Sequence, residues 1–393
     1  MVTHKEGPST RSVHLATRAD PTTGAVAPLV VESSAFAYPD LDTWRAVALK
    51  ETEGHIYSRN SNPTTRLLEE KMSAMEGAAA ATTFATGMAA ISTTLFALLS
   101  PGDRAVTVRD AYGATYLHFR DILPRFGIEC EICDTEDHAA IEDAVAEGCD
   151  LLYLESPTNP MLRVVDLTRL AEAARRAGAI TVVDNTFATP INQNPLDLGA
   201  QLVIHSATKY LAGHSHVLGG VLCGSEDLVE QVYRHRELTG PSMQAHTAGL
   251  LLHSLKTLGL RVQRHNENAL ALAHFLEDHP SIERVYYPGL QSHPGHDIAK
   301  RQMRGFGGVL SFSVDGGLEA IGRFLPRLRY AYLAANLGQV ETVVGPPAVT
   351  SHVECTEEEM VEAGIPTGLV RYSAGIEDVA DLKADLEQAL TVL

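Results

Sequence analysis

Residues 180–214 read ITVVDNTFATPINQNPLDLGAQLVIHSATKYLAGH, and the fold is decided here. Two short apolar runs, Ile180–Val183 and Leu202–Ile204, each give way to polar residues. Continuous branched runs of this length suit strands buried on both faces of a sheet. Working outward, Asp166 can cap a helix over Leu167–Ala177 that stops at Gly178, while Leu151–Leu154 and Ala105–Val108 repeat the strand signal. Helices alternating with such strands predict an α/β fold with a mostly parallel sheet covered on both sides. Ligands in that architecture sit beyond the carboxyl ends of the strands. Glu155-Ser156, Asp184-Asn185 and His205-Ser206 occupy those places.

Further out the pattern divides the chain. Residues 1–60, interrupted by Pro8, Pro21, Pro28 and Pro39, read as an extended N-terminal arm. A helix starts at Asn62-Pro63, where Asn caps and Pro takes the first position, continues through Leu68, Met72 and Met75, and closes at Gly77. Residues 61–256 form the α/β large domain in this reading. Past Thr257 a long helix towards Phe275, strands at Val309–Val314 and Leu369–Ser373, and a last helix at Val379–Leu390 predict a C-terminal α+β domain over residues 257–393.

Composition excludes several classes. The chain has 393 residues, 45% hydrophobic and 20% charged, which is globular rather than disordered. A net charge of −18 disfavours nucleic-acid binding. No run approaches the roughly 20 apolar residues of a membrane span, and the polar start MVTHKEGPSTRS does not read as a signal peptide. The cysteines Cys130, Cys133, Cys149, Cys223 and Cys355 are scattered, as suits a reducing compartment. A cytoplasmic enzyme is expected.

Lys209 is the chemically distinctive lysine. It follows LVIH among hydroxyls and small residues in SATKYLAGH, whereas Lys5 lies in the polar tail and Lys71 and Lys383 take charged positions on amphipathic helices. A lysine in a semi-apolar crevice loses its proton readily and becomes a nucleophile towards an aldehyde. Asp184 ends a strand where a half-buried carboxylate needs a partner, and a pyridinium N–H would serve. Gly87-Met88 opens a helix whose amides suit a phosphate, with Ser206 and Thr208 as added hydroxyl donors. Singly, these read more readily as a loop lysine, a cap or ion pair, and a packed helix start. Together they specify pyridoxal 5′-phosphate.

Seven stretches carry a resemblance: YSRNSNPT (57–64), ATGMAA (85–90), DAYGATY (110–116), ESPTNP (155–160), VVDNTFATP (182–190), HSATKYLAGH (205–214) and VRYSAGIED (370–378). In this order they resemble the Cys/Met-metabolism family of pyridoxal-phosphate enzymes, the trans-sulfuration enzymes. The resemblance implies fold type I (aspartate aminotransferase-like). It makes Lys209 the lysine bonded to the cofactor and Asp184 the partner of its ring nitrogen. Tyr112 would stack on the ring and protonate the leaving group, and Gly87, Met88, Ser206 and Thr208 would hold the phosphate. Tyr57 and Arg59 would reach a neighbouring subunit's cofactor, with Tyr57 also near substrate. Asn159 would lie by the phenolic oxygen, and Arg371 and Asn336 would bind the substrate. The implied assembly is a homotetramer with sites shared between subunits.

Within that family Ala335 and Asn336 stand where cystathionine γ-lyases usually carry a glutamate and a serine, and an apolar Ala335 better suits a thioether methyl. The tail Thr356–Asp378 also resembles methionine γ-lyases. Ala114, replacing a cysteine common in that branch, Asn336, and His216, in place of an aspartate, are departures. The implied reaction is α,γ-elimination of L-methionine to methanethiol, 2-oxobutanoate and ammonia. Cystathionine γ-lyase and cystathionine γ-synthase or acyl-homoserine γ-replacement are the alternatives, and a catalytically silent binding protein of the same fold is the reading from another class.

Other signals are weaker. Cys130-x-x-Cys133 reads as a strand whose cysteines lie on different faces, and His214-x-His216 and His293–His296 lack a second ligand pair, so no metal site is expected. Neither a dinucleotide fingerprint nor a Walker lysine is present.

Overall fold

The alternating runs build two sheets in the computed structural model, which describes residues 6–350, Met360 and 364–393. Lys5, Cys355, and Thr356–Glu359 and Val361–Ala363 of the tail lie outside the described residues. The first sheet contains β1 (Ala80–Phe84), β2 (Arg104–Val108), β3 (Glu129–Cys133), β4 (Leu151–Glu155), β5 (Ile180–Asp184), β6 (Leu202–Ser206) and β7 (Gly220–Gly224). Their order is β1-β7-β6-β5-β4-β2-β3. From β3 to β6 every pairing is parallel, while β7 runs antiparallel to both β6 and β1. Leu151, Leu152, Tyr153 and Leu154 are wholly buried, so β4 needs no polar face.

The predicted helix starts where expected. In α3 (Pro63–Glu76) Asn62 caps with its side chain accepting from the Thr64 amide, and Gly77 ends it at φ 73°. In α4 (Gly87–Leu98) Thr86 is the cap, accepting from the Ala89 amide at 3.0 Å. Gly220 on β7 permits this helix start to approach: a Cβ there would stand 2.2 Å from the Thr86 carbonyl oxygen.

The helix Leu258–Glu277 leads to a second sheet of β8 (Ile282–Tyr286), β9 (Val309–Val314), β10 (Tyr332–Leu333), β11 (Val343–Gly345) and β12 (Leu369–Ser373). Its order is β10-β11-β12-β9-β8. Leu272, Leu276, Phe312, Phe324, Tyr372, Leu382 and Leu386 share its core, which places the last helix, Val379–Leu390, on the same layer.

Two expectations are corrected. The N-terminal arm is not wholly extended: it contains α1 (Pro8–His14) and α2 (Leu41–Ala48). Pro8 sits at the start of α1, where its missing N–H costs nothing, and Asp40 caps α2 by accepting from the Thr43 amide at 2.7 Å. Lys71 does not lie on a solvated face. It is 1% exposed and donates to the Leu15 carbonyl at 3.0 Å and Thr17 Oγ1 at 3.1 Å, pinning the arm to α3. A helical stripe cannot reveal a segment that folds back over it.

Cys130 and Cys133 fall on opposite faces of β3, in two separate apolar clusters.

Candidate active site

The carboxyl ends of β4, β5 and β6 and the start of α4 converge on a cavity of about 390 Å³. Gly87, Met88, Tyr112, Asn159, Asp184, Ser206, Thr208, Lys209 and Arg371 all line it. The chain is thereby folded so that residues far apart in sequence face one space.

Lys209 lies in the turn after β6, where the Lys209 amide donates to the Ser206 carbonyl at 3.3 Å and the Gly213 amide donates to that of Lys209 at 2.8 Å. Its Nζ donates to Asn336 Oδ1 at 2.7 Å. Burial, with the Arg371 guanidinium adding repulsion, pulls the ammonium down to about 8. A useful fraction is therefore neutral amine near neutral pH, as attack on an aldehyde requires.

Asp184 closes β5 and is 6% exposed. Both of its bonds come from neutral donors, the Thr186 amide to Oδ1 at 2.9 Å and the Tyr153 hydroxyl to Oδ2 at 3.3 Å. Burial raises its proton affinity, which the hydrogen bonds from Thr186 partly offset. Glu155, its register partner on β4, is raised well above the carboxylate range by burial and then by Asp184 itself. A buried pair with one ionised carboxylate, Asp184, and so little cationic compensation suits a protonated ring nitrogen at the strand ends.

At the other end, the first-turn amides Gly87 and Met88 open α4 against Ser206. A Cβ at residue 87 would stand 2.8 Å from Ser206 Cβ and 2.9 Å from its Oγ. Only glycine leaves that helix start close enough to share an anion with the serine hydroxyl. Thr208 Oγ1 accepts from the Gly219 amide at 3.1 Å, fixing the hydroxyl beside them. A glycine-opened helix start with two hydroxyls, a buried lysine with lowered proton affinity and a buried carboxylate thus line one cavity, and these residues fit pyridoxal phosphate.

Tyr112 is 41% exposed, with its amide donating to Glu155 Oε2 at 2.8 Å. Arg371 on β12 is 5% exposed and donates from Nη1 to Asn159 Oδ1 at 2.9 Å and from Nη2 to the Asn336 carbonyl at 3.2 Å. Burial lowers it to about 10, still cationic at neutral pH. The second sheet thus delivers one fixed positive charge to a site built mainly by the first.

Tyr57 and Arg59 do not line this cavity. The Arg59 guanidinium lies 5.5 Å over the Tyr57 ring, its NH1 donates to the Glu237 carbonyl, and Tyr57 is 45% exposed. His216 is also outside, its ring 5.6 Å from that of His214.

Several site residues were not identified from the sequence. Thr186 donates to Asp184 through its amide and accepts from the Ser206 amide through Oγ1 at 2.8 Å, tying two strand ends together. A threonine two places after a strand-end carboxylate is the only signal. Phe187, Leu218 and Leu337 line the apolar side, and only the fold brings them there.

Fold and cavity define a pyridoxal-phosphate-dependent enzyme of fold type I. The chain belongs to the Cys/Met metabolism PLP-dependent enzyme family, which it matches over residues 9–391. It is 41% identical over 386 residues to an L-methionine gamma-lyase of Pseudomonas putida, covering 98% of this chain and 97% of that one. It is 42% identical over 372 residues to the chloroplastic cystathionine gamma-synthase 1 of Arabidopsis thaliana, covering 94% of this chain and 66% of that longer protein. Among solved structures, cystathionine gamma synthase from Xanthomonas oryzae pv. oryzae in complex with cystathionine gives a TM-score of 0.94 at 39% identity, covering 99% of both chains. A carbon–sulfur lyase reading fits this family. Among the described residues no helix is long and apolar enough to cross a membrane, and no group of three or more His, Cys, Asp or Glu could hold a metal.

Proposed function

We propose that the chain catalyses α,γ-elimination of L-methionine, taking methionine and water to methanethiol, 2-oxobutanoate and ammonia. One observation carries the choice of substrate: Ala335, Leu218 and Leu337 line the cavity together with Met88, Ile91 and Phe187, apolar surface for a thioether methyl. Among the described residues, none of these side chains offers a carboxylate to the distal ammonium of cystathionine.

Pyridoxal phosphate, when bound, supplies the electron sink that makes the substrate Cα proton acidic. Asp184 holds the proton on the ring nitrogen. Arg371 binds the substrate carboxylate by its guanidinium fork, held in place by Asn159, and so points Cα at Lys209. The Lys209 amine takes the Cα proton, gives it up again and, once neutral, takes a proton from Cβ, which places charge beside the carbon bearing sulfur. Tyr112, at the mouth, donates a proton to the departing thiol. One amine serving two adjacent carbons benefits from orientation, which is worth roughly 7–11 kcal/mol of barrier.

Tyr57 and Arg59, exposed and outside their own cavity, are assigned to the cofactor phosphate of a neighbouring subunit, in a cytoplasmic homotetramer of two such dimers. The division into an arm of residues 1–60, a large domain of 61–256 and a C-terminal domain of 257–393 belongs to the same reading.

A second reading, γ-replacement on an acyl-homoserine, draws support from the likeness to cystathionine gamma synthases. Incubating the protein separately with methionine, with cystathionine, and with an acyl-homoserine plus cysteine, then assaying thiol, 2-oxoacid and cystathionine, decides between them. Thiol and 2-oxobutanoate from methionine support elimination. Methionine left intact while another substrate is consumed overturns it.

A further inference from the structure

Lys209 Nζ rests on a side-chain amide, and an amide has two opposite faces. Asn336 accepts from Nζ through Oδ1 at 2.7 Å, whereas the flipped amide would set an NH2 donor against an ammonium that can only donate. Asn336 Nδ2 donates to Gln339 Oε1 at 3.0 Å. The same Oε1 accepts from the Ser215 hydroxyl. Gln339 is 7% exposed, so water does not readily replace these bonds.

The backbone around this chain of bonds is held from both sides. The Val340 amide donates to the Gly213 carbonyl at 2.9 Å, and the Gly338 amide donates to Ser373 Oγ at 2.9 Å. Ser215 has φ 53°, a left-handed conformation that a non-glycine residue keeps only when its surroundings hold it there. The conformation brings its hydroxyl to Gln339.

We propose that Gln339, oriented by Ser215, is a positioning residue that selects the face of the Asn336 amide presented to Lys209 and so sets the proton affinity of that amine. The proposal rests on Lys209 being the cofactor-bonding lysine. With the oxygen facing Nζ the ammonium form is favoured; with the amide free to turn, the neutral amine gains a donor and the ammonium loses its acceptor. Among the described residues, the other charged and titratable groups about Lys209 are Arg371, Tyr112, Asp184 and Glu155, which line the same cavity, and Tyr210, which lies near Arg371. His214, His216 and Arg261 lie on the Ser215 side.

The test strips the full-length protein of cofactor, adds pyridoxal 5′-phosphate, and follows the rate at which the lysine-dependent visible band forms as a function of pH. That rate tracks neutral amine. For Gln339→Leu and Ser215→Ala the midpoint is expected to fall by about half a pH unit, roughly a threefold change in proton affinity. Gln339→Glu, which keeps an acceptor oxygen, is expected to stay at or above the wild-type midpoint. An unmoved midpoint in Gln339→Leu overturns the proposal. Should these variants misfold, a neutron structure of the wild-type cofactor-free protein reads the Asn336 and Gln339 deuterons directly, and the reversed amide overturns it equally. A band that persists in Lys209→Ala refutes instead the assignment of the lysine.

Discussion

Glu155 and Asp184 end neighbouring parallel strands in direct register and face the same cavity. Each is buried, and the charge of Asp184 pushes Glu155 higher still. Asp184 receives the Thr186 amide and the Tyr153 hydroxyl and is raised less than Glu155, so it ionises first and Glu155 keeps its proton. A carboxyl whose folded-state pKa is raised contributes stability below its unfolded pKa and loses it as pH rises through the folded one. Stability of the cofactor-free protein is therefore predicted to fall from about pH 4.5 upward through this group. Glu155→Gln should flatten that component. Denaturant midpoints of both proteins across that range check it, and parallel pH profiles would contradict it.

Lys71 gives the opposite slope. Its burial, with repulsion from Lys256, lowers it from 10.5 to about 8. Over that window the unfolded chain binds more protons than the folded one, so this residue makes stability rise with pH. In Lys71→Met the rise should disappear. Thermal midpoints on either side of the window, for both proteins, decide it.

Gly87→Ala places a methyl 2.8 Å from Ser206 Cβ. Helix start and serine must part, so affinity for pyridoxal phosphate is expected to drop by about one to two orders of magnitude, the scale of a misplacement near 1 Å. Equilibrium titration of the cofactor-free protein measures this. Unchanged affinity would remove α4 from the phosphate site.

Arg371→Ala removes a fork already held by Asn159 and the Asn336 carbonyl. Hydrogen bonds to charged groups are worth about 1.5–3 kcal/mol, so KM for the amino acid should rise roughly 10–100-fold. An unaltered KM would take the carboxylate role from this residue.

Much of this was legible in the chain itself. Lys209, Asp184 and Gly87-Met88 announce themselves because strand ends and helix starts are local features, written in a few consecutive residues. The capped helix at Asn62 and the buried strands are local too. Lys71 was misread because burial by the arm depends on contacts 54–56 residues away in sequence. β1 and β7 went unread because AATTF and GVLCG carry small residues that pair only in the assembled sheet. Thr186 and Gln339 act through hydrogen bonds to other site residues, and no periodicity marks such partners.

Proton transfer by a positioned group is commonly worth roughly 10²–10⁴-fold, so Lys209→Ala should lose at least that much turnover. The most direct test is chemical. The holoenzyme is reduced with borohydride, digested and mapped by mass spectrometry. Pyridoxal phosphate joined to the side chain at residue 209, with loss of the visible band, is the predicted result; a label on any other lysine, or on none, would contradict it.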